Sequence, residues 1–177
     1  MRAIDLFCVA TLAACLSGCA EASLRVTESA QVAAPLEHVF VAVGQGPFDR
    51  SYADEVAGAL LTALGGHALT SRSRVLTGLE LDDAAVNEQM KAFGADSLLM
   101  VEPIGGAVNP VNGLVLKVVY RVTLLDIRAD RLVWAGEVSH ERGFLVAKRG
   151  ELVSERVVGS LIQQGLIRSG QASKGGS

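Results

Sequence analysis

Cysteine is scarce in this 177-residue chain and confined to one end: Cys8, Cys15 and Cys19 are the only three. The body after Cys19 therefore cannot form an intramolecular disulfide or a cysteine-based metal site. Histidine is as thin, with His38, His67 and His140 far apart and none paired at i, i+3 or i+4. No metal and no cofactor is expected. Aromatic residues make up 5% of the chain and the net charge is −3, without a basic tract, so no nucleic-acid partner is expected. Ser51, Ser71 and Ser73 lack a Gly-x-Ser-x-Gly setting, and no nucleophile, base and oxyanion donor come together in the sequence. No catalytic residue is expected, and the chain reads as a non-enzyme. Gly44-Gln45-Gly46 invites a phosphate-loop reading, but Asp49 stands where a third glycine belongs and would repel phosphate. A turn is the simpler account.

What is present is an N-terminal leader. Met1 and Arg2 make a short positive start, Ile4 to Leu16 is mostly apolar, and the small Ser17 and Gly18 precede Cys19. The apolar stretch is shorter than the roughly 20 residues that span a bilayer. Leu16-Ser17-Gly18-Cys19 resembles a bacterial lipobox, in which the cysteine is lipidated and becomes the first residue of the mature protein. That resemblance implies residues 1–18 as a signal peptide recognised through Leu16, Ser17 and Gly18, with Cys19 as the lipidation site. Two or three acyl chains would make the anchor permanent, because each buried CH₂ contributes about 0.8 kcal/mol. Ala20 stands where an aspartate would signal inner-membrane retention, so the outer membrane, facing the periplasm, is the expected destination.

Half of the chain is hydrophobic, enough for one core of ordinary size. Residues 19–37, rich in Ala, Ser and Glu, read as a tether, and 168–177 as a flexible tail. Between them, 38–167 reads as one α/β domain. His38–Val43 is apolar on both parities, which predicts a strand covered on both faces. Over Asp49–Leu64, Val56, Ala57, Leu60, Leu61 and Leu64 share one helix face. A weaker strand follows at 68–76. Asp82-Asp83 opens a second helix through Val86, Met90 and Phe93, ended by Gly94, before strand Ser97–Glu102. Residues 105–113 read as a loop. Leu114, Leu116, Val118, Tyr120, Val122 and Leu124 then line one face of a strand, which turns at Arg128-Ala129-Asp130 into a return strand placing Leu132, Trp134 and Val138 on an apolar face. Arg149–Ile167 is a last helix with Val153, Val157, Leu161 and Gln164 in one stripe. The expected fold is an α/β single-domain sandwich, order β-α-β-α-β-β-β-α, with a mixed sheet packed by helices.

Gly94-Ala95-Asp96 leading into a strand, and Asp126 followed by Leu132-Val133-Trp134-Ala135-Gly136-Glu137, resemble cues of one group of envelope proteins. In this order of elements the chain looks like the periplasmic domain of the outer-membrane lipoprotein activator of a penicillin-binding protein. The curli-secretion channel subunit and the TolB N-terminal domain are similar in layout. The resemblance covers roughly 38–167 and implies a fold more than an activity. The loop 104–113 is too short to donate a membrane-crossing hairpin of the channel type, so a pore is not expected.

Val115, Val119 and Leu125, on the nominally polar face of the long strand, are the candidate partner face. A helix or a neighbouring subunit could cover them. Trp134 is core on its parity, or else an exposed anchor for a partner. The functional expectation is a membrane-anchored adaptor or assembly component, acting on an unknown envelope protein or as a homo-oligomer. The alternatives are a small-ligand or lipid-binding module and an unrecognised hydrolase.

Overall fold

The computed structural model describes residues 22–32, 34–46, 50–77, 84–112, 115–141 and 149–170. Its elements are β1 (Ala22–Ser29), β2 (His38–Gly44), α1 (Arg50–Gly65), β3 (Thr70–Leu76), α2 (Ala84–Phe93), β4 (Ser97–Val108), β5 (Val115–Asp126), β6 (Arg131–Glu141) and α3 (Arg149–Gln163). The strands form one six-stranded mixed sheet, ordered β1-β6-β5-β4-β2-β3. β2 runs parallel to both β3 and β4, and the remaining pairs are antiparallel. From β2 onward the element order is the one expected, and the α/β sandwich holds.

The first departure is β1. Residues 22–29, read from sequence as tether, form an edge strand antiparallel to β6, with Ala22 opposite His140 and Ser29 opposite Trp134. Ala22 is buried, and Leu24 packs on the main core. The alternation Leu24-Arg25-Val26-Thr27 is the trace of a strand, but its small and charged residues hid it. Edge strands carry such residues because they discourage pairing with other chains. Leu36, at the tether's far end, is also buried, and its N–H donates to the Leu166 carbonyl at 3.3 Å.

α1 and α3 lie side by side on one face of the sheet and enclose the main core. Val56, Ala57, Leu60 and Leu64 from α1 meet Val153, Val157 and Leu161 from α3 over Val41, Leu99, Val122 and Trp134. Gln164 falls off the expected stripe because α3 ends at Gln163. Gly165 takes φ +70°, and the Leu166 N–H returns to the Leu161 carbonyl in a glycine-capped helix end. That turn buries Leu166 and Ile167. At the start of the expected tail, the Gly170 N–H donates to His67 Nδ1 at 2.9 Å. α2 packs on the opposite face and closes a smaller core of Phe40, Ala42, Leu76 and Val86. β2 is thus covered on both faces, as its doubled parity predicts.

Two further corrections come from β-sheet irregularities. The first part of the expected loop over 105–113 is strand: β4 runs on to Val108, pairing with Val115, and the turn is confined to 109–112 among the described residues. Gly105 and Gly106 lie within that strand, where register shifts bend the ladder rather than end it. In β6, Leu132 does not share a face with Trp134. The pairing steps from Leu124–Trp134 to Leu125–Leu132, so one extra residue swaps the parity. Trp134 and Val138 are fully buried core, while Leu132 lies on the other face.

The motifs quoted above have structural work. Gly94 has φ +71° and ends α2, with the Ala95 N–H donating to the Met90 carbonyl. The Asp96 Oδ2 accepts the Glu37 N–H at 2.8 Å, and its backbone bonds His38 and Ile127, tying the entries of β2 and β4 to the end of β5. Asp126 Oδ1 accepts the N–H groups of Arg128 and Ala129, closing the β5–β6 turn. A Cβ on Gly136 would stand 2.9 Å from Trp134 Cη2, so that glycine makes room for the ring.

Candidate functional site

α2 covers only the β2 end of its side of the sheet, and the rest of that face has no element over it among the described residues. Residues directly opposite in paired strands share a face, so the register maps it. One row is Arg25, Glu137, Arg121 and Glu102, alternating in sign across β1, β6, β5 and β4. The next row is Ser23, Ser139, Val119 and Gly105, with the two serine hydroxyls 2.8 Å apart. Beyond it Lys117 Nζ meets Glu141 Oε1 at 2.7 Å. That contact holds the Glu141 carboxyl below its usual range. On the other side of the charged row stand Ala135, Thr123 and Met100, then Leu132, Leu125 and Leu98.

The structure therefore brings Val119 and Leu125 onto this bare face, both half-buried among neighbours. Val115 is half-buried too, but it packs against the edge of the main core and pairs with Val108. The charged row was not legible in the sequence, because half of it comes from β1 and β4, whose placement depends on partners distant in the chain. Leu16, Ser17, Gly18 and Cys19 lie outside the described residues, as do Asp49, Asp82, Asp83 and Leu114.

A second polar group sits inside, where α1 and α3 meet β5 and β6. The Arg149 guanidinium lies 4.0 Å over the Tyr52 ring. Glu55 Oε1 accepts the Gly150 N–H at 2.9 Å. A Cβ on Gly150 would lie 2.6 Å from the Glu55 carbonyl oxygen, so the helices touch there. Burial pushes the Tyr120 hydroxyl up to about 12, against the opposing pull of Arg149. Burial, then the Arg149 charge, lowers the His140 imidazole. Both groups are neutral at pH 7. The cluster reads as a polar seam joining the helices to the sheet.

His38 sits edge-on to Phe93, His67 bonds Gly170, and His140 is buried in the seam, so the three histidines have separate structural uses. Among the described residues no three His, Cys, Asp or Glu side chains gather as a metal site. Gly46 takes φ +61°, and a Cβ there would lie 2.3 Å from Pro103 Cγ, which accounts for this glycine as part of a packed turn. A shallow groove of about 860 Å³ runs between β1 and α3, bordered by Leu24, Val26, Glu155 and Ile162 and open to solvent along its length. Among the described residues no helix is long and apolar enough to cross a membrane.

No family model and no curated protein matches the sequence. Solved structures do match the fold. A PelC dodecamer from Paraburkholderia phytofirmans is similar at 14% identity and a TM-score of 0.52, over 84% of this chain and 99% of that one. A dodecamer of a point variant of the same PelC is similar at 15% identity and a TM-score of 0.53, over 84% and 100%. A DUF330 protein from Xanthomonas campestris is more distant, at 8% identity and a TM-score of 0.42 over 80% and 93%. At these identities the PelC likeness is one of fold.

Proposed function

We propose that this chain is a lipid-anchored component of the bacterial envelope that acts without catalysis, by assembling with copies of itself. The observation that carries the reading is the half-sheet left bare by α2, with its alternating charged row and the half-buried Val119 and Leu125. The fold likeness adds support, since essentially the whole length of PelC is matched and that protein is a dodecamer. The lipobox-like Leu16–Cys19 supports the anchor. Cyclic rings form when one surface of a subunit meets a different surface of the next and the rotation closes.

The test is gentle detergent extraction of the full lipidated protein followed by native mass spectrometry. The expected result is a discrete multimer whose N-terminus is acylated Cys19. Val119→Glu should disperse it, because a carboxylate buried at a subunit contact without a partner is strongly disfavoured. Its circular dichroism spectrum and melting temperature should stay near wild type, because Val119 is outside the main core. A monomer at all concentrations with no protein attached would refute assembly. A stable complex with a different envelope protein would replace self-assembly by an adaptor role.

A further inference from the structure

The finding that residues 22–29 are a strand moves the anchor. Ala22 enters the sheet three residues after Cys19, and three residues reach at most about 11 Å. Ala22 stands opposite His140, which stands opposite Val118, which stands opposite Gly106. Adjacent strands are about 4.8 Å apart. Ala22 therefore stands at the end of the sheet from which the β4–β5 hairpin projects, and a lipid on Cys19 would be tethered within that reach of it. If Cys19 is acylated, as the proposed function assumes, that end must lie at the membrane surface.

The projecting hairpin is unlike the rest of the surface. From Pro103 to Leu116 the sequence contains no charged residue, although charges make up 20% of the chain. Four of the six exposed large hydrophobic residues among those described are here: Ile104 at 42%, Val108 at 49%, Val111 at 91% and Leu116 at 41%. The hairpin overshoots its neighbours. β2 pairs with β4 only as far as Val101, and β6 ends at Glu141, opposite Lys117. The tip is also prepared for an apolar setting. Pro110 has no N–H, and Asn109 Oδ1 accepts the Val111 N–H at 2.9 Å.

We infer that the β4–β5 hairpin tip, centred on Val108 and Val111, dips into the lipid interface beside the acyl anchor and sets the orientation of the domain. The insertion is shallow. Among the described residues no strand lies beside the β4 edge beyond Val101, and backbone groups left unpaired there would need water, which the hydrocarbon core does not supply. Lys117 and Glu102 mark the level at which charge returns. In a closed ring, all anchors and all hairpins would face the same side, so the contacts would add along one membrane plane.

The experiment uses the acylated protein reconstituted into vesicles of phosphatidylethanolamine and phosphatidylglycerol. Val111→Cys carries an environment-sensitive fluorophore, and Arg72→Cys on the exposed β3 edge carries the same label as a control. Intact mass first establishes whether Cys19 is acylated, which also leaves the introduced thiol as the sole labelling site. The expected result is blue-shifted emission at position 111, loss of quenching by aqueous iodide, and quenching by a nitroxide at the lipid headgroup. The label at position 72 should remain open to iodide. Iodide quenching at 111 equal to that at 72 would overturn the inference. Protection at 111 from both quenchers would also overturn it, by showing a protein cover. If the mass shows Cys19 bare, the anchor fails on its own. The hairpin is then decided by flotation of unacylated protein with the same vesicles. Flotation lost in Val111→Asp supports it, and no flotation of the wild type overturns it.

Discussion

Trp134 and Gly136 form a pair whose coupling can be measured. The indole is fully buried, and among the described residues its Nε1 has no hydrogen-bond partner. Trp134→Ala therefore removes packing without breaking a hydrogen bond. Truncating a buried Trp costs about 3–5 kcal/mol, and freeing the core of an unpaired N–H brings the expectation to the lower end, about 3 kcal/mol. Gly136→Ala acts oppositely. Its methyl would stand 2.9 Å from Cη2, 3.1 Å from Cζ2 and 3.2 Å from Leu24 Cδ1. Overpacking of this kind costs about 1–3 kcal/mol, against a gain of about 0.4–1 kcal/mol from the stiffer unfolded chain. Alone, Gly136→Ala should destabilise by about 1–2 kcal/mol. In the Trp134→Ala background the methyl enters vacated space, and the same substitution should be neutral or stabilising. The double-mutant coupling should reach about 1–3 kcal/mol. Urea titrations followed by far-ultraviolet circular dichroism read all four corners, because Trp134 is the only tryptophan and half the cycle lacks it. Additivity within about 0.5 kcal/mol would refute the ring's placement across Gly136.

Two titration experiments follow from the buried polar groups. The His140 imidazole is lowered in the fold, chiefly by burial, so the unfolded chain binds the extra proton first. Its contribution is intact above the unfolded value near 6.5 and is lost as pH falls from there toward the folded value. Melting temperatures between pH 8 and 5 should show that loss, and His140→Phe should flatten it; an unchanged profile in the variant would assign the dependence to other groups. Asp126 is lowered as well: burial opposes this, but the Arg128 side chain and the turn N–H groups outweigh it. Its stabilisation holds above the unfolded value near 3.8 and is lost as pH falls through the lower folded value. Asp126→Ala should cost about 1.5–3 kcal/mol at pH 7, the range for hydrogen bonds to a charged group. Asp126→Asn should cost less, since its amide oxygen can still accept from the turn; equal losses in chemical denaturation would count against the turn-closing role.

Much of the fold can be read from local periodicity. The three helices repeat every three to four residues, and β2 and the β5–β6 arms show their burial in runs and alternation, because those patterns reflect which face of a short segment avoids water. The Gly94-Ala95 and Asp126 motifs were legible for the same reason: each closes a turn with its own neighbours, whereas Asp96 reaches Glu37, His38 and Ile127. What the chain did not disclose depends on contacts distant in sequence. β1 is a strand because β6 supplies its hydrogen-bond partners, not because Ser23, Arg25 and Glu28 look like one. Leu132 and Trp134 part company because one extra residue in the β5–β6 ladder swaps their faces, which no alternation rule can foresee. The strand order joins Arg25, Glu137, Arg121 and Glu102 into one row, with no element over it among the described residues. It also brings Ala22 to the end of the sheet where the uncharged hairpin projects. Side-chain alternation is a property of a few consecutive residues; strand neighbours are selected by the whole chain, and the surface of this protein follows from the neighbours.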